Sequence, residues 1–87
     1  MILRFLGPFK ELSQKEISIV LERPITLGEL VELLSQRYEG FRSYAEKKND
    51  LDLSAHLAFI QKGRILKLAD LLQDDDLLEV VLPATGG

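Results

Sequence analysis

The stretch of sequence that decides the fold is PITLGELVELL, residues 24–34. Thr26 and Glu29 have the spacing of a capping box, in which the hydroxyl and the carboxylate each accept a backbone amide at the start of a helix. Gly40 is expected to cap the C-terminus of this helix. Apolar residues recur between these limits at helical spacing, which predicts one buried helical face made of Leu27, Leu30, Val31, Leu34 and Tyr38.

Two strands are predicted before the helix. Ile2–Leu6 is a short apolar run that ends at the turn signal Gly7-Pro8. Residues 16–21 form a second run, whose alternation of apolar and polar residues is typical of a half-buried strand. The segment GPFKELSQKE joins the two runs, so we expect a hairpin with a long loop.

After the helix, the pattern predicts a short second helix in residues 41–53 and then three strands. Residues 55–61 are apolar on both faces, as in a central strand. A turn at Lys62-Gly63 leads into residues 64–66, and the last strand is expected at residues 77–82.

The predicted order is therefore β-β-α-β-β-β, with one main helix. The right-handed crossover rule places the third strand across the sheet from the second and leaves strand one free to pair in parallel with the last. The economical arrangement is an α+β fold, a ubiquitin-like β-grasp with a mixed sheet packed on one helix. Residues 1–83 would form this domain, and residues 84–87 a flexible tail.

Composition excludes several classes of function. The chain of 87 residues has a net charge of −3, which argues against a nucleic-acid binder. It contains no cysteine, which excludes thiolate chemistry, and the single His56 cannot build a histidine metal cluster. No metal site is therefore expected. The apolar N-terminal stretch is too short for an export signal, so a cytoplasmic location is expected.

Acidic residues are concentrated close in sequence to the tail, at Asp70, Asp74, Asp75, Asp76 and Glu79. We interpret this run as a solvated turn, with a docking surface for a basic partner as the alternative.

Three segments carry a resemblance to a known family: FLGPFKEL, PITLGELVELL and LLQDDDLLEVVLPATGG. Together, and in this order, they resemble the sulfur carriers of the MoaD/ThiS type, among which the small subunit of molybdopterin synthase is the most similar. One departure is Asp74-Asp75-Asp76, where such proteins commonly have Asp-Gly-Asp. Because aspartate tolerates positive φ better than most residues, we expect the turn to form with some strain.

The resemblance implies a carrier and not an enzyme. An E1-like adenylyltransferase would adenylate the terminal carboxylate of Gly87 with its own ATP and magnesium, and a persulfide would then convert Gly87 to a thiocarboxylate. The carrier itself would bind no cofactor. Gly86, Thr85 and Ala84 would thread into the active sites of its partners, because slim residues and glycine allow close backbone approach.

The resemblance also implies docking to a molybdopterin synthase large subunit or an equivalent sulfur acceptor enzyme. Side chains alternate across a strand, so Leu6 and Val81 are expected on neighbouring strands of the open sheet face, beside the tail. An apolar patch of this kind indicates a partner surface. Ile65 is a third candidate for partner binding.

Other functions fit the same terminus. The thiocarboxylate could supply thiamin thiazole formation or tRNA thiolation, although thiazole carriers are usually shorter and lack residues 41–53. A ubiquitin-like modifier joined to lysines through Gly87 would use the same adenylated diglycine. The third alternative is a β-grasp binding module with an inert tail.

Overall fold

The computed structural model describes residues 1–7, 16–47 and 49–82. Its helices are α1 (Leu27–Arg37), α2 (Arg42–Ala45) and α3 (Asp50–His56), with a 3-10 helix at Glu39–Phe41. Its strands are β1 (Ile2–Leu6), β2 (Glu16–Ser18), β3 (Ile25–Thr26), β4 (Ala58–Gln61), β5 (Arg64–Ile65), β6 (Leu71–Leu72) and β7 (Leu77–Val81).

Within the described residues, five of these strands form one mixed sheet in the order β2-β1-β7-β4-β5. β1 and β7 pair in parallel, and the other neighbours are antiparallel. The parallel pairing of the first and last strands is as predicted, and β4 lies across the sheet from β2. The remaining pair, β3 and β6, forms a separate two-stranded ribbon that the sequence did not indicate, because two-residue strands carry no periodicity.

Helix α1 begins with the predicted capping box. The Glu29 amide donates to Thr26 Oγ1 at 3.1 Å, and the Thr26 amide donates to Glu29 Oε1 at 3.0 Å. The hydrogen bond from the Thr26 amide and the Arg23 guanidinium beside it hold the pKa of Glu29 below its usual value. Leu27, Leu30, Val31 and Leu34 are all buried, as predicted for the helical face, whereas Tyr38 lies beyond the end of the helix and is only partly buried.

The end of α1 differs from the prediction. The helix ends at Arg37, and the extended residue Tyr38 closes it by donating its amide to the Leu34 carbonyl at 2.8 Å. Gly40 lies in the 3-10 helix and has no positive φ, so its predicted role as the helix cap is wrong. The 3-10 turn brings Phe41 into the core, where its ring packs edge-on against that of Phe5 with the ring centroids 6.1 Å apart.

The strand predicted at residues 55–61 begins at Ala58, three residues later than predicted. Asn49 accepts the Asp52 amide at 2.7 Å and starts α3, which continues through His56. His56 is therefore a half-exposed residue at a helix C-terminus, with Nδ1 2.9 Å from the Asp52 carbonyl oxygen, and not part of a strand. The short second helix predicted in residues 41–53 is divided between α2 and α3, since Phe41 and Leu53 both reach the core.

The core lies between α1 and one face of the sheet. The sheet contributes Leu3 and Phe5 from β1, Phe59 from β4, and Leu78 and Val80 from β7, all of them almost fully buried. The structure is thus an α+β fold of the ubiquitin-like β-grasp type, as predicted.

The acidic run builds turns. The Asp70 carboxylate accepts the Lys67 amide at 2.7 Å, and the Asp76 carboxylate accepts the Gln73 amide at 2.8 Å, the same three-residue relation in both cases. The expected positive φ at residues 74–76 is wrong: among the described residues other than glycine, only Lys62 has a positive φ. The side chains close these turns in ordinary backbone conformations, so no glycine is required there.

Asp74 connects the start of the chain to the segment that follows β2. Its carboxylate accepts the Leu21 amide at 2.8 Å and lies 3.6 Å from the ammonium group of Met1. The ammonium group donates to the Asp74 carbonyl and, at 2.7 Å, to the Ile19 carbonyl. The Leu21 hydrogen bond, more than the nearby ammonium charge, lowers the pKa of the Asp74 carboxyl group.

Candidate docking surface

The sheet face that points away from α1 is the candidate docking surface. Across β1 and β7 the outward residues pair as Ile2 with Leu77, Arg4 with Glu79, and Leu6 with Val81. Because paired residues point to the same face, each pair forms part of a row that runs across the sheet. The row of Leu6 and Val81 is the last one before the C-terminal residues.

This last row is apolar. Leu6 is 41% exposed, Val81 is half-buried, and the next strand adds Ala58 opposite Val81. Ala58 is only 4% exposed although it is on the outward face. The structure therefore brings Leu6 and Val81 together as predicted, and adds Ala58 to the row.

Ile65 lies further away. It pairs with Ile60, which in turn pairs with Glu79, so Ile65 belongs to the neighbouring row and is separated from β7 by β4. Two strand spacings place it about 10 Å from β7. Ile65 is 54% exposed and reaches the sheet edge, so it forms an outlying part of the same face.

The middle row carries charge. Arg4 Nε lies 3.3 Å from Glu16 Oε2 on β2, and Glu79 is the register partner of Arg4 on β7. These side chains are exposed or half-exposed, so the ion pair contributes little to stability. The charged row borders the apolar row on the side away from the tail, as polar residues do at the rim of an interface.

The predicted tail residues Ala84, Thr85, Gly86 and Gly87 lie outside the described residues, as does Pro83. β7 ends at Val81, and Leu82 packs partly against the core. The chain therefore leaves the sheet from the strand that contributes Val81 to the apolar row.

Other chemistry is sparse in the described part of the chain. Residues 1–7, 16–47 and 49–82 contain no group of three histidine or acidic side chains placed to hold a metal ion. No helix in those ranges is long and apolar enough to cross a membrane. Sequence reasoning missed Leu51, which is 81% exposed on α3; its signal was an apolar residue two positions from the core residue Leu53, on the opposite side of a helix.

The β-grasp arrangement of a mixed sheet packed on one main helix places the chain in the class of ubiquitin-like proteins. The ThiS family model matches residues 3–87, and the chain belongs to this family. A search of curated proteins found no match. ThiS-family proteins are small sulfur carriers that work with E1-like activating enzymes and sulfur acceptor enzymes, so the chain is a carrier and not an enzyme.

Proposed function

We propose that this sulfur carrier serves molybdopterin synthesis as the small subunit of molybdopterin synthase. The observation that carries the proposal is the segment between α1 and β4. Its described residues, 39–47 and 49–56, contain a 3-10 helix, α2 and α3, and bury Phe41 and Leu53 in the core. Carriers for thiazole are usually shorter and lack this segment, so its full integration into the fold favours the molybdopterin branch.

The reacting group in this proposal is the carboxylate of Gly87. A carboxylate is a poor electrophile, so the activating enzyme first joins it to AMP from ATP, with magnesium, and releases pyrophosphate. The terminal sulfur of a persulfide then displaces AMP, and a second thiol reduces the resulting acyl disulfide. The product is a thiocarboxylate on Gly87, which is anionic and nucleophilic at neutral pH.

The residues before Gly87 fit this chemistry. Gly86 lets the backbone approach reacting groups closely. Ala84 and Thr85 keep the preceding chain narrow, and Pro83 fixes one backbone dihedral at the start of the tail. This chain contains no cysteine, so it can hold transferred sulfur only as an acyl group.

Docking would use the apolar row. Leu6 and Val81 offer an apolar contact next to the point where the tail leaves β7, so a partner that binds the row also receives the terminus. The charged row of Arg4 and Glu79 would lie at the rim, where it affects the rate and orientation of docking more than affinity. Ile65 would lie at the far edge of the contact.

The terminus is tested by pyrophosphate exchange with the activating enzyme. Deleting Gly87 should abolish exchange and leave the melting temperature unchanged, because a terminal residue of this kind contributes little to stability. Gly86→Val should impair exchange more than the matched Gly86→Ala, because a β-branched side chain is bulkier and stiffer. Normal exchange by a chain that lacks both glycines would refute a role of the terminus.

The pathway is tested by reconstitution. The thiocarboxylated chain is mixed separately with a molybdopterin synthase large subunit and with a thiazole synthase, and sulfur transfer is measured in each. Transfer only to the thiazole enzyme would contradict the proposed branch. Mass spectrometry of material from the host distinguishes a sulfur carrier from a protein modifier. Replacement of one oxygen by sulfur in the intact chain supports a carrier, whereas diglycine remnants on lysines of other proteins support a modifier.

A further inference from the structure

The edge of the sheet at β5 has features, apart from Ile65, that the proposed carrier function does not use. Within the described residues β5 has a neighbour on one side only, β4. Both β5 residues, Arg64 and Ile65, are exposed. A strand edge of this kind presents unpaired backbone amides and carbonyls, to which an extended segment of another protein can add as a further strand.

An apolar groove runs along this edge. It has a volume of about 280 Å³ and lies between β5 and the first turns of α3. Leu51 on α3 and Ile65 on β5 line it, and both side chains are largely exposed, while Leu66 forms a buried part of the wall. Exposed leucine and isoleucine that share a groove are a surface suited to one apolar side chain of a bound segment.

The charges around the groove select the occupant. Arg64 and Lys67 stand at the edge, and neither forms an ion pair with another described residue. The carboxylate in the groove wall, Asp50, is engaged by the Leu68 amide at 2.6 Å. The edge therefore offers two cations without an ion-pair partner in the described residues: Lys67 lines the groove, together with the Asp50 carboxylate, and Arg64 precedes Ile65 on β5.

We propose that the β5 edge is a second docking site, which binds an extended segment of a partner protein that alternates acidic and apolar residues. The backbone of the segment pairs with β5, one apolar side chain enters the groove between Leu51 and Ile65, and carboxylates face Arg64 and Lys67. The site lies beyond the row of Leu6 and Val81 and does not involve Gly87. Ile65 is the one residue that it shares with the proposed carrier contact, and its test, which uses peptides and no activating enzyme, is independent of the carrier chemistry.

The experiment is an NMR titration of the full isotope-labelled chain with blocked peptides. The probe is acetyl-ELELELE-amide, and the matched control is acetyl-KLKLKLK-amide. We expect the acidic peptide to shift the backbone amides of Arg64, Ile65 and Lys67 and the methyl groups of Leu51, and to bind about tenfold more tightly than the basic one. Added salt should reduce this difference.

Variants separate charge from fold. The double variant Arg64→Glu, Lys67→Glu should reverse the preference between the two peptides; both positions are exposed, so the fold should persist. Leu51→Ser should weaken binding of the acidic peptide about fivefold. The control Val20→Ser, at an equally exposed position away from the groove, should have no effect.

Three results would overturn the proposal. The first is equal binding of the two peptides, or binding of neither, which would leave the cations as guards against edge-to-edge aggregation. The second is shifts that map to β2 or to Leu6 and Val81. The third is a concentration-dependent dimer without peptide that shifts the same edge amides, which would make a second copy of this chain the occupant.

Discussion

Val80 and Val81 provide the sharpest test of the docking face, because identical neighbouring residues point to opposite sides of β7. Val80 is fully buried against α1, and Val81 lies in the apolar row of the open face. We expect Val80→Asp to unfold the protein and Val81→Asp to leave it folded but unable to bind its sulfur acceptor enzyme, for which the proposed synthase large subunit is the test partner.

The magnitudes follow from burial. Val80→Asp loses about 1.5–3 kcal/mol of apolar burial, and a carboxylate without a partner adds several kcal/mol. Together these approach or exceed the total stability of a chain this size, about 4–13 kcal/mol. In Val81→Asp the new carboxylate stays in contact with water. The substitution loses mainly strand propensity and partial burial, which lowers the free energy of unfolding by about 1 kcal/mol.

Urea melts followed by circular dichroism measure the stabilities, and calorimetric titration with the partner measures docking. Leu6→Asp is the independent check on the same row and should reproduce the result for Val81→Asp. If Val81→Asp lost as much stability as Val80→Asp, the assignment of the two faces would be wrong. If Val81→Asp remained folded and bound normally, the open face would not be the docking surface.

Three further predictions concern the fold. Thr26→Ala should cost about 1 kcal/mol by removing the helix cap, and Leu30→Ala about 2–5 kcal/mol as a truncation in the core; equal costs in denaturant melts would contradict the helix register. Gly63→Ala should lower the free energy of unfolding by about 1 kcal/mol, because Gly63 has a φ of +77°. Unchanged stability in the same melts would argue against the left-handed backbone conformation of this turn. Because the pKa of Asp74 is lowered in the folded state, its contribution to the free energy of unfolding is present above its usual pKa and is lost as pH falls below about 4. Asp74→Asn should therefore make the stability measured in denaturant melts depend less on pH in this acid range. An unchanged pH dependence would show that the contacts of the Asp74 carboxylate contribute nothing to stability.

The sequence determined the elements whose signals are local or periodic. The capping box and the apolar spacing placed α1, because a helix of three turns repeats its pattern often enough to be recognised. Alternation in β1 and β7 assigned Leu6 and Val81 to the outward face, because side chains in a strand alternate with a period of two. The order of strands then limited the topology through the crossover rule.

The tertiary structure decided what depends on contacts distant in sequence. β3 and β6 are too short to show a pattern, and they exist because the chain returns past Thr26 to pair with it. In the sequence His56 belongs to an apolar run that predicts a strand, but Asn49 caps a helix that extends through His56. The exposure of Leu51 beside Ile65 likewise follows from packing α3 against the sheet edge, since no local pattern brings two distant apolar residues into one groove.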